Sequence, residues 1–141
     1  MMGKGQVANN VFDQHLADSL GADELGMKNY VLVILKTGDM DAKITDKAIR
    51  DSLFAGHFNN MGKMEKAGKL IIAGPFGKNQ HSFRGLFILN VKTIEEAEAL
   101  SKTDPAVNAG IFKVELYPWY GSAALPMYLP YAGKVAKKEI N

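Results

Sequence analysis

Six consecutive residues, Tyr30 to Leu35 (YVLVIL), are apolar and rich in β-branched side chains. A run this short and this uniformly apolar, bounded by polar residues, reads as a strand buried on both faces. A polar loop follows from Gly38, with Asp46 as a helix N-cap. Ile49, Leu53, His57, Met61 and Met64 then recur three or four apart, the stripe of an amphipathic helix that Gly68 closes. Leu70–Ala73 is a second strand, stopped by Gly74-Pro75, and Phe83–Val91 a third. Ile94–Leu100 is a second helix with Glu95, Glu96 and Glu98 facing water. Asp104-Pro105 opens a further turn, and Ile111–Trp119 is a fourth strand.

The order is β-α-β-β-α-β, which predicts an α+β, ferredoxin-like fold: one four-stranded antiparallel sheet with its helices on one face. In the third strand Leu86 and Ile88 alternate with Phe87 and Leu89, so both faces of that sheet are apolar. A bare apolar face of that size needs a cover. A second copy of the sheet, paired about a two-fold axis, is the economical one. The chain divides into an N-terminal arm over 1–28, partly helical or flexible, a core domain over 29–120, and a C-terminal extension over 121–141. In that extension Gly121, Pro126, Pro130 and Gly133 are expected to break regular structure.

Several function classes are excluded or made remote. The chain has no cysteine, which removes thiol nucleophiles, iron–sulfur clusters and cysteine-based zinc sites. Its three histidines, His15, His57 and His81, show no ligand spacing, so no metal is expected. No phosphate-binding or dinucleotide fingerprint is present, and no cofactor is expected. The net charge is only +2, and Arg50 and Arg84 are the only arginines. Nucleic acid is therefore not an expected partner. No apolar run approaches the roughly 20 residues of a membrane helix, and Met1–Asn10 does not read as a signal peptide. A cytoplasmic location is the default, with an exported, processed form as the alternative.

His57 is the candidate that most needs explaining, because an ionisable ring on an apolar stripe must find a partner. It is either a core histidine satisfied by one hydrogen bond or a functional group. Asp104 is an N-cap with proline at the first helical position. Capping uses one carboxylate oxygen and leaves the other free. The loop from Gly74 through Pro75, Phe76 and Gly77 to Lys78 either admits a ligand close to the backbone or is simply a turn. Arg84 either grips an anionic group or points to solvent.

These residues also carry a resemblance. His57 on the first helix, Gly68, Lys69-Leu70, Ala73-Gly74-Pro75, Arg84-Gly85, Glu95-Glu96-Ala97, Asp104-Pro105, Ala109-Gly110 and Tyr117-Pro118-Trp119 look like the YCII-related domain family. That family includes the small YciI-like proteins of bacteria. The likeness spans about Lys28 to Tyr120. The arm and the closing Tyr120-Gly121-Ser122-Ala123-Ala124-Leu125-Pro126 segment resemble one bacterial subgroup. The resemblance implies a homodimeric α+β barrel and a histidine–aspartate pair, here His57 and Asp104, as the active centre. One branch of the family resembles a dehydrochlorinase of a chlorinated hydroxyquinol. The implied function is cofactor-free acid–base chemistry on a small cyclic or aromatic compound. Gly74, Pro75, Phe76, Lys78 and Arg84 would contact that substrate. The alternative is a metabolite-binding or interaction module without catalysis.

Overall fold

The computed structural model describes residues 11–139. The part of the arm before residue 11, and the last two residues of the extension, lie outside it. Strands β1 (Met27–Thr37), β2 (Leu70–Pro75), β3 (Phe83–Leu89) and β4 (Phe112–Ser122) form one sheet in the order β2-β3-β1-β4. Every neighbouring pair is antiparallel. Helices α2 (Lys47–Lys66), α3 (Ile94–Ser101) and α4 (Pro105–Asn108) cover one face. The α+β order read from the sequence is therefore the order of the fold. No helix among the described residues is long and apolar enough to cross a membrane.

The full apolarity of β1 has the expected cause. Val31, Val33 and Leu35 enter the main core with Met64, Phe87, Leu89 and Phe112. Tyr30 lies on the opposite face with Ile71 and Ile88. That opposite face is not bare. Leu125 and Leu129, from a 3-10 turn (Leu125–Tyr128) and helix α5 (Leu129–Val135), pack against it. Tyr128 donates its hydroxyl to the Ile71 carbonyl at 2.5 Å, and Tyr30 donates to the Ser122 carbonyl at 2.8 Å. Burial raises both phenols above their ordinary titration range, with Glu65 adding to the effect at Tyr128.

Two sequence expectations need correction here. The extension is not irregular: Pro126 and Pro130 each occupy the first turn of their helix, where a missing N–H costs nothing. Nor are all helices on one face, since α5 lies against the other. Helix α1 (Gln14–Leu20) is the helical part of the arm, and Gly21 ends it in a left-handed conformation.

Helix α2 is capped by Asp46, whose Oδ1 accepts from the Ile49 amide at 3.1 Å. Of the predicted stripe, Leu53, His57, Met61 and Met64 face the core, while Ile49 is exposed and Asn60 is buried beside them. Gly62 sits in the exposed interior of α2 with open space where a Cβ would be. Gly62→Ala is expected to stabilise the protein by about 0.5–1 kcal/mol, from the helix propensity of alanine alone. Urea titration of the variant should show a raised midpoint with an unchanged slope.

Candidate active site

His57 lies midway along α2 and Asp104 caps α4, and the structure brings them together. His57 Nδ1 is 2.5 Å from Asp104 Oδ2, with the two residues 6% and 3% exposed. Asp104 Oδ1 meanwhile accepts from the Ala106 amide at 2.8 Å. One carboxylate therefore caps a helix and holds a ring. An ionised carboxylate only accepts hydrogen bonds, so Nδ1 carries a hydrogen, and in the neutral ring the lone pair falls on Nε2.

Local chemistry sets this meeting. Pro105 at the start of α4 fixes the backbone beside Asp104. A Cβ on Gly56 would lie 2.9 Å from Pro105 Cγ, so glycine before His57 lets α2 approach the turn. One helical turn on, Asn60 Nδ2 donates to Thr103 Oγ1 at 3.0 Å. Thr103 in turn donates to the Leu100 carbonyl at 2.6 Å. Residues 56, 57 and 60 of α2 are thus tied to 105, 104 and 103.

Aromatic rings enclose the imidazole. Phe58 and Phe112 meet it edge-on, with centroids 5.3 Å and 5.2 Å away, and Phe87 stacks at 6.2 Å. Nε2 has no hydrogen-bond partner among the described residues, and no side-chain nitrogen or oxygen there is both sealed and unpartnered. The atom is therefore not sealed, and His57 lines a cleft of about 400 Å³. Phe54, Phe58 and Met61 form its helix wall, Leu35, Phe87 and Phe112 its sheet floor, and Ala73 to Phe76 its far rim.

Of the residues singled out in the sequence, His57, Gly74, Pro75, Phe76 and Arg84 line this cleft. Asp104 stands behind His57 and does not. Lys78 is exposed and is not among the lining residues. Arg84 reaches the cleft through a β-bulge. Leu35 pairs with Gly85 but Lys36 pairs with Phe83, which leaves Arg84 as the extra residue. A bulge re-aims a side chain that strict alternation would send to the other face. The guanidinium carbon consequently lies 5.4 Å from the Phe112 ring centre, on the helix side of the sheet.

Nothing in the sequence alone announces the aromatic enclosure. Phe58 follows His57 directly, a usable signal, but Phe87 and Phe112 join only through strand pairing. Gly56 and Asn60 carry no local signal either: their roles follow from the bulk of Pro105 and the hydroxyl of Thr103 across the helix contact.

A profile of the YCII-related domain matches residues 30–120. Among solved structures, the chain is similar to 5-chloro-2-hydroxyhydroquinone dehydrochlorinase from Burkholderia phenoliruptrix AC1100, in complex with 2,5-dihydroxybenzoquinone. The identity is 17% and the TM-score 0.45, over 63% of this chain and 92% of that one. No curated protein matches the chain.

Proposed function

The chain belongs to the YCII-related domain family, and on that premise we propose that it is an enzyme of cofactor-free acid–base chemistry on a small cyclic or aromatic compound. His57 is the general base and acid. The observation that carries this reading is the 2.5 Å His57–Asp104 contact, with Nε2 not sealed and His57 lining an apolar cleft. Asp104 holds the ring in one tautomer and stabilises the imidazolium that forms. Nε2 takes a proton from an acidic C–H or O–H of the substrate. The electron pair released either expels a leaving group such as halide, or moves to a carbonyl oxygen and is reprotonated elsewhere. The first course is an elimination and the second an isomerisation. Both are redox-neutral and consume no co-reactant.

The test begins with a thermal-shift screen of small phenols, quinones and carboxylates, since a ligand of the native state raises its stability. Hits are then assayed for proton or halide release with the native protein and with His57 and Asp104 variants. Loss of turnover with retained binding supports the reading.

The same proposal includes a homodimer. Tyr117 and Trp119 on edge strand β4 remain 46% and 36% exposed, beside the face that α5 covers in part. A second copy would cover them. Sedimentation equilibrium is expected to return twice the chain mass of 15.4 kDa. A single-chain mass at micromolar concentration overturns the pairing and leaves the His57 proposal standing.

A further inference from the structure

The two arginines of the chain have opposite circumstances. Arg50 is fully engaged: Nη1 donates to the carbonyls of Asp41 and Ile44 at 2.7 and 2.9 Å, and Nη2 meets Asp41 Oδ1 at 2.9 Å. It holds the loop between β1 and α2. Arg84 donates no side-chain hydrogen bond among the described residues. Its one acidic neighbour is Asp41 Oδ2, at 3.9 Å, and that carboxylate already serves Arg50. One negative charge thus faces two positive ones, which leaves an uncompensated cation at the cleft. No carboxylate lines the cleft.

Position adds to charge. The bulge in β3 turns Arg84 onto the helix side, where it flanks the Phe112 ring that also touches His57. The strand backbone there is fixed, because the Arg84 carbonyl accepts from the Phe76 amide at 3.0 Å. The guanidinium fork therefore offers several free donors on a rigid mount, at the edge of a cleft walled by aromatic rings. Such a fork matches a carboxylate or another planar oxyanion.

We infer that Arg84 is the specificity-determining residue of this site and that the cleft takes a flat small molecule bearing an oxyanion. The aromatic walls hold the ring and Arg84 holds the charged oxygen. This rests on the acid–base reading only for its place beside His57; the anion preference itself is a property of binding.

Isothermal titration of the full chain with benzoate and with benzamide tests it. The two probes share shape and differ in charge. Benzoate is expected to bind about ten- to a hundredfold more tightly, the range of one charge-assisted pair. Arg84→Met is expected to erase that preference, and Arg84→Lys to keep part of it, since the charge stays and the fork is lost. His57→Gln is expected to leave the preference in place. Equal affinity for the two probes, no millimolar binding of benzoate, or a preference that survives Arg84→Met overturns the inference. A preference intact in the native chain beside full turnover in His57→Gln would uphold it and remove the acid–base reading instead.

Discussion

Exchanging His57 for glutamine is expected to lower turnover of a substrate identified by the screen about 10²–10⁴-fold, the usual contribution of a positioned general base. Glutamine keeps an N–H to set against Asp104 but has no nitrogen lone pair to present to the cleft. Alanine is a poorer probe. It would strand the Asp104 carboxylate, 3% exposed, with the Ala106 amide as its one remaining side-chain bond. Breaking a buried pair in that way costs about 3–5 kcal/mol, so lost activity would be confounded with lost structure. Asp104→Asn is the informative companion. Its carbonyl oxygen can still cap α4, but its NH₂ faces Nδ1 and forces the hydrogen onto Nε2. The lone pair is then on the wrong side of the ring. A loss of similar size is expected, in kcat rather than in binding. Undiminished kcat in either variant, with the fold intact by circular dichroism, would sink the catalytic role. If only affinity changed, His57 would be a ligand contact and the chain a binding module.

The second large effect concerns stability. A Cβ on Gly38 would collide with the Gly110 carbonyl oxygen and sit 2.9 Å from the Phe112 carbonyl carbon. Both are backbone, so no side chain can swing away. The crowding has a reason: the Gly38 amide donates to the Ile111 carbonyl at 2.7 Å, and Met40 to Gly110 at 3.0 Å. The chain leaving β1 is thereby stitched to the segment entering β4. Gly38→Ala must pull that seam apart or shift the start of β4, where Phe112 floors the cleft. The expected cost is about 3 kcal/mol or more, beyond ordinary overpacking. The unfolding midpoint should fall on the order of 10 °C. Calorimetry checks it, and a Gly38→Ala protein that melts with the native one would show that the seam yields freely.

The strand and helix order was legible because periodicity reports burial, and the β1 run, short and rich in β-branched residues, reads as a strand with two covered faces. The His57–Asp104 pair was legible as two anomalies, an ionisable ring among apolar residues and a cap with a spare oxygen, joined through a family likeness. What covers the second face was less legible. Pro126 and Pro130 read as breakers, yet proline at a first turn begins a helix. The destination of Arg84 was undecidable, since one extra residue in β3 reverses the face it points to. Ile49 misled the stripe because a residue in the first turn after a cap can project past the core. The rings around His57 come from α2, β3 and β4, and nothing local to any one of them announces the others.

Asp104 is a keystone shared between two arches. The helix it caps has only four residues, too few to hold its shape without that cap. Fraying of this one turn and the unmooring of the imidazole are therefore a single event. Under the acid–base reading, loss of this one cap would disarm the base without any disturbance of the sheet beneath it.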